Sequence, residues 1–124
     1  MSKAGSLADH GLPSPSKAAF QILLALADGE KHGYGVMQEV AQRTNGMVRL
    51  GPGTLYRTIK QLLDAGWIVE RDARPDPDRD DERRRYYRVT EEGRRVAAQE
   101  ATHLEMLVRA AYAKRLLSTA GGRT

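Results

Sequence analysis

The chain has 124 residues, enough to bury the core of one domain, and its 40% hydrophobic and 29% charged residues fit a water-soluble globular fold. The absence of cysteine removes disulfides, thiolate zinc sites and cysteine nucleophiles, and no apolar run approaches the ~20 residues of a membrane span. The net charge of +4 favours an anionic partner, although so small an excess also serves solubility alone.

Residues 1–16 are small, polar and proline-bearing, without the apolar centre of a signal peptide, so a flexible arm and a cytoplasmic location are expected. Ser14-Pro15-Ser16 sets up a helix start, with Ser14 or Ser16 as the cap. In the helix from Lys17 to Asp28, Phe20, Leu23, Leu24 and Ala27 form a stripe that Ile22 and Leu26 widen. Asp28 to Lys31 reads as a turn and His32 to Thr44 as a second helix. Its inner stripe is expected at Tyr34, Met37, Val40 and Ala41, and its end at Asn45-Gly46.

Met47 to Leu50 is an extended link into a third helix, Pro52 to Ala65. Its inward residues are Leu55, Ile59, Leu62 and Leu63, which leaves Thr54, Arg57, Thr58 and Gln61 for solvent. Gly66 stops this helix. Trp67 to Arg71 and Tyr86 to Thr90 then read as two strands, with Ile68, Tyr87 and Val89 inward and Tyr86 outward. Between them, 74–84 carries two prolines and many charges, which marks a loop. A helix followed at once by a basic-rimmed hairpin is the order of a winged helix. The expected fold class is therefore mainly α with a small β hairpin (α+β).

Thr90 caps a last helix that runs to about Leu117, with Glu91 and Glu92 suited to its positive N-terminus. At ~1.5 Å per residue it spans roughly 40 Å, longer than a domain of this size is wide. Ala97, Ala101, Leu104, Val108 and Ala111 recur at steps of four and three, and Leu107 and Tyr112 broaden the stripe. That is a seam for a second copy of the chain in a symmetric dimer, or a face that folds back on its own domain. The domains expected are an arm (1–16), a winged-helix unit (17–90), a dimerisation helix (91–117) and a tail (118–124).

In a helix-turn-helix, the N-terminal end of the second helix enters the major groove of double-stranded DNA. Here that end offers Gly53, Thr54, Arg57, Thr58 and Gln61. Arg57 has the fork for guanine and Gln61 the amide for adenine, the threonines suit a thymine methyl or a phosphate, and Gly53 lets the backbone approach. Lys60 is a phosphate candidate on the flank. Tyr56 and Tyr34 fit either a phosphate contact or half-buried packing, and His32 either a phosphate contact or a cap. At the hairpin base, Arg83, Arg84 and Arg85 meet the backbone or pair with the nearby acids, which include Asp80, Asp81 and Glu82.

No cofactor is expected, and His10, His32 and His103 are too dispersed for a metal site. No phosphate-cradling loop or nucleophile motif marks an enzyme. The rival reading is a winged-helix protein-interaction module. RNA binding lacks its aromatic stacking platforms.

Three blocks, His32-Gly33-Tyr34, Gly53-Thr54-Leu55-Tyr56 and Arg84-Arg85-Tyr86-Tyr87-Arg88-Val89-Thr90-Glu91-Glu92-Gly93, resemble the PadR family of bacterial transcriptional regulators in order and spacing. The resemblance runs from about Ala19 through the last helix. It implies a winged helix with a C-terminal dimerisation helix, and a repressor that binds an inverted repeat as a homodimer. It carries Gly53, Thr54, Tyr56 and Arg57 onto the recognition helix, Arg83, Arg84 and Arg85 onto the wing base, and His32 and Tyr34 onto the bracing helix. Gly51 stands where many relatives have serine or threonine, and the acidic loop is longer than in many of them. Some relatives bind aromatic or drug-like effectors between subunits. In this chain Trp67 reads as core, and Met106, Leu107 and Tyr112 fit a plain seam as well as a small pocket.

Overall fold

The computed structural model describes residues 12–72 and 85–118. Helix α1 (Lys17–Leu26) starts at Ser16, whose side chain accepts the Ala19 amide at 3.0 Å. It buries Ala19, Ile22, Leu23, Ala25 and Leu26. Leu24, expected in its stripe, is 39% exposed, because the buried face centres on Leu23 and Leu26 and leaves Leu24 at the rim. Of the expected arm, residues 1–11 lie outside the described residues. Leu12 packs on the core, and its carbonyl accepts from Gln99 Nε2 at 3.1 Å.

Strand β1 (Lys31–His32) is a two-residue element. It lies where the sequence reads as a turn and a helix start, since two residues carry no periodicity to detect. Helix α2 (Gly33–Arg43) buries Gly33, Val36 and Val40. The expected inner stripe is corrected here: Val36 is fully buried and Tyr34 is 53% exposed. With His32 as the cap and Gly33 against a neighbouring helix, the inward line runs 33, 36, 40, and Tyr34 falls roughly 130° from its centre at 3.6 residues per turn. Thr44 closes the helix, its hydroxyl donating to the Val40 carbonyl and accepting the Val48 amide, both at 3.0 Å. Asn45 and Gly46 take the left-handed conformation that turns the chain.

Helix α3 (Pro52–Ala65) starts at Gly51 with proline in its first turn and ends at Gly66, φ 81°. It buries Leu55, Thr58, Ile59 and Leu62. Strand β2 (Ile68–Asp72) pairs antiparallel with β3 (Arg85–Val89), and β3 also pairs with β1, giving the order β1-β3-β2. Ile68 opposes Val89, Glu70 opposes Tyr87 and Asp72 opposes Arg85. Ile68, Tyr87 and Val89 point into the core. Residues 73–84, which include the acidic loop, lie outside the described residues.

Helix α4 (Glu91–Ala113) starts at Thr90, whose hydroxyl accepts the Gly93 amide at 3.0 Å and donates to the Gly66 carbonyl at 2.8 Å. The Thr90 amide adds a bond to the Trp67 carbonyl at 2.9 Å. Val96 is fully buried, so the first turns of α4 complete the core. A side chain at Gly93 would overlap the Trp67 carbonyl, so only glycine lets the helix cross there. No helix among the described residues is long and apolar enough to cross a membrane.

Candidate nucleic-acid interface

The candidate reading surface is built from α3 outward. Leu55, Ile59 and Leu62 anchor one side of this helix, which turns Gly53, Arg57, Lys60 and Gln61 to solvent, with Thr54 half-buried. Arg57 Nη2 lies 3.5 Å from the Thr54 hydroxyl, one turn back. A side chain at Gly53 would meet nothing within 4 Å, so its bareness serves no packing inside the chain and leaves room for a close neighbour.

Thr58 does not belong to this surface. It is 5% exposed, three residues after Leu55 and four before Leu62, which sets it in the apolar stripe. Its hydroxyl gave it the look of a surface residue, but the helical spacing decides its side. Thr58 is therefore removed from the candidate contacts.

Tyr56 is half-buried and lies over Gly33: a side chain at position 33 would run into the Tyr56 hydroxyl and ring. Gly33 is thus the point where α2 and α3 come together. The sequence carries a signal for it, a glycine in a first helical turn where alanine would be more favourable.

His32 is the N-cap of α2, its Nδ1 accepting the Gly35 amide at 3.0 Å. That bond assigns the neutral ring's proton to Nε2, the nitrogen left for an outside acceptor. The ring also meets Tyr86 edge-on, centroids 5.4 Å apart and planes at 63°. Lys31 holds this corner in place by donating to the Ala25 carbonyl at 2.7 Å and pairing with Asp28 and Glu39. Burial lowers the Lys31 pKa, but its bond to Asp28 and the charges of Glu39 and Asp28 outweigh that and hold it above the ordinary value. Its bond to Asp28 in turn holds that carboxyl below the usual range. Tyr34, on the first turn of α2, is exposed.

At the wing, Arg83 and Arg84 lie outside the described residues. Arg85 is ion-paired with Glu70 at 2.9 Å, and Lys60 lies 3.6 Å from Asp64. Glu70 sits diagonally across the ladder from Arg85, two residues from its direct partner Asp72, a separation long side chains span. Neither acid was singled out from sequence, although Lys60 and Asp64 stand four residues apart, a spacing that signals a helix pair.

Along α4 the surroundings change. Ala97 is half-buried, but residues 101–110 are all exposed, including Ala101, Leu104, Leu107 and Val108; Ala111 is half-buried and Tyr112 exposed. Beside the start of this face, Phe20, Leu23 and Leu24 of α1, Ala27 just past its end, and Ala97 and Ala101 of α4 line a mainly apolar groove of about 230 Å³.

The sequence model of the transcriptional regulator PadR-like family matches residues 22–99, from inside α1 through the buried start of α4. The chain belongs to the PadR-like family. PadR-like proteins are transcriptional regulators, so this chain is a transcriptional regulator and not an enzyme. The fold agrees. A transcriptional regulator from Clostridium thermocellum, Cth-833, superposes with a TM-score of 0.65 at 25% identity, over 81% of this chain and 90% of that one. A PadR family regulator from Clostridium difficile R20291 gives 0.65 at 20% identity, over 77% and 95%. Bacillus subtilis PadR, solved in complex with operator DNA, gives 0.56 at 21%, over 65% of this chain and 45% of that one. No curated protein sequence matches the chain.

Proposed function

We propose that this PadR-like chain is a repressor that acts in the cytoplasm as a homodimer and binds an inverted-repeat operator. The observation that carries the reading is the outward face of α3. Gly53, Thr54, Arg57 and Gln61 stand together on a helix whose other side is locked into the core. Such a helix presents base-reading groups on an already ordered backbone, so little conformational freedom is lost on binding. Arg57 would read guanine, Gln61 adenine, and Thr54 a methyl or a phosphate. His32 would donate from Nε2 to a phosphate, joined by the exposed Tyr34 and by Arg83 and Arg84 at the wing. Tyr56 would brace α3 through Gly33, with its hydroxyl edge near the backbone.

The exposed stripe of α4 supports the dimer. Leu104, Leu107 and Val108 continue the face that Val96 and Ala97 bury on the domain, past the point where the domain ends. A second copy related by a two-fold axis would cover this stripe and the groove beside α1. Residues 17–90 then form the reading unit and 91–117 the dimerising helix. Two α3 helices spaced for half-sites ~34 Å apart would occupy successive major grooves and exclude polymerase. An effector, where one acts, would change that spacing through α4. The bonds from Thr90 to Gly66 and Trp67 tie the start of α4 to the end of α3 and support such a coupling.

The test is a fluorescence-anisotropy titration of the purified chain against its own upstream intergenic DNA and a scrambled duplex, at two salt concentrations. Tighter, salt-sensitive binding to the upstream DNA supports the reading. Equal weak binding to both, or none, favours the interaction-module reading, with a protein partner on the α4 face.

A further inference from the structure

Two cations at the junction of α3 and the sheet, Lys60 and Arg85, are each paired with an acid of the same chain. Lys60 and Asp64 stand on the solvent crest of α3, and Arg85 and Glu70 on the facing strands. All four line one groove of about 370 Å³ between the helix and the sheet, with an apolar floor that includes Ile59 and Leu63. The helix-facing side of the sheet changes character along its length. It is apolar where Ile68 meets Val89 and charged where Glu70 and Arg85 lie, toward the hairpin.

If α3 lies in a major groove and the hairpin beyond it, a phosphate strand must pass between them. The groove with the two ion pairs is the surface that strand meets. Lys60 and Arg85 attract it, and Asp64 and Glu70 repel it from positions only one ion pair away. Both pairs are partly open to water, where an ion pair contributes little and exchanges readily.

We propose that this groove is a phosphate seat that works by partner exchange: Arg85 leaves Glu70, and Lys60 leaves Asp64, to take a backbone phosphate of bound DNA. The inference rests on the DNA-binding reading above. Its consequence is that Glu70 and Asp64 are restraining residues. They reduce the affinity for any duplex by holding the cations in the free protein, and they carry no sequence information because phosphate contacts carry none. A repressor so restrained clings less to bulk DNA and relies more on the base contacts of α3.

The test uses the full chain and a short mixed-sequence duplex, followed by anisotropy at low salt. Glu70→Gln should tighten binding about two- to fivefold, the size expected for freeing one exposed ion-paired cation. Arg85→Ala should weaken binding. The deciding measurement is Glu70→Gln in the Arg85→Ala background, where the gain should shrink because no cation remains to be released. Asp64→Asn with Lys60→Ala should repeat the pattern on the helix side, and melting curves show that each variant is folded. No gain from Glu70→Gln in a folded protein overturns the inference. A gain as large without Arg85 also overturns it, because Glu70 would then act through its charge alone. Wild-type protein that binds neither this duplex nor its upstream DNA sinks the DNA-binding reading itself; wild-type binding without the pattern above sinks only the exchange.

Discussion

The two halves of α4 are one continuous helix in opposite surroundings. From Glu91 to Glu100 its inner face is fixed: Gly93 rides on the Trp67 carbonyl, Val96 is fully buried and Gln99 reaches back to Leu12. From Ala101 to Ala110 every residue is exposed, although the apolar stripe continues without a break. The first half shows what such a stripe does when a partner is present. The second half carries the same pattern with its face open to solvent. The winged domain closes on itself, and no buried side-chain polar atom among the described residues lacks a hydrogen-bond partner. The distal helix stays open, and the proposed division between the reading unit and the dimerising helix rests on this change near residue 100.

The strongest way to break this contrast is to spoil the packed half. Gly93→Ala puts a methyl group into the Trp67 carbonyl, and backbone cannot swing away as a side chain can. It should lower the unfolding free energy by about 1–3 kcal/mol or more, read from urea denaturation. Wild-type stability in this variant would mean that α4 does not cross the sheet so closely.

Leu107→Glu attacks the other half. Leu107 is 53% exposed, so the change costs the monomer little. It should weaken self-association by about 2 kcal/mol or more in sedimentation equilibrium, with an unchanged circular dichroism spectrum. A variant that associates like wild type places the seam elsewhere.

Arg57→Ala and Arg84→Ala sharpen the comparison on the DNA side. The first should lose about 1–3 kcal/mol of preference between upstream and scrambled duplex; the second should lower both affinities alike and flatten the salt slope. Equal loss of preference in both variants would remove the division between base reading and phosphate anchoring.

The organisation was legible wherever the chemistry is local. Ser16 and Thr90 cap helices because their hydroxyls reach amides three residues on, and Gly66 ends α3 because glycine accepts a positive φ at no cost. The three motif blocks fall at the α2 start, the α3 start and the join of β3 to α4. What sequence spacing misplaced depends on tertiary partners. Tyr34 and Val36 exchange roles because Gly33, pressed against Tyr56, fixes which side of α2 faces inward. Thr58 is inside because its neighbours three before and four after are. The β1 pairing of Lys31 with Tyr87 and His32 with Tyr86 joins residues more than fifty positions apart, which no local pattern reports. The pairing of Arg85 with Glu70 likewise depends on strand register.

His32→Ala removes the cap of α2 and should cost about 0.5–2 kcal/mol in thermal unfolding, with His32→Asn restoring most of it. No loss from alanine would show that the bond to Gly35 contributes nothing to stability. The smallest effect is expected at Asp28. Its carboxyl is held below the usual range by Lys31, so the folded state binds its proton less readily than the unfolded chain does. The stabilisation is present above the unfolded-state pKa and lost as pH falls through the lower folded-state value. Melting of Asp28→Asn should therefore differ slightly from wild type at neutral pH and converge with it in acid. A difference that grows in acid would reverse the assigned sign.

The dimer proposal is tested most directly by the stoichiometry of the complex, followed by sedimentation velocity as the chain is titrated onto the upstream segment it selects. Two chains per duplex are expected at saturation, with no lasting one-chain species. A selective complex that holds a single chain would contradict the proposal, since α3 alone would then suffice and the exposed half of α4 would serve another purpose.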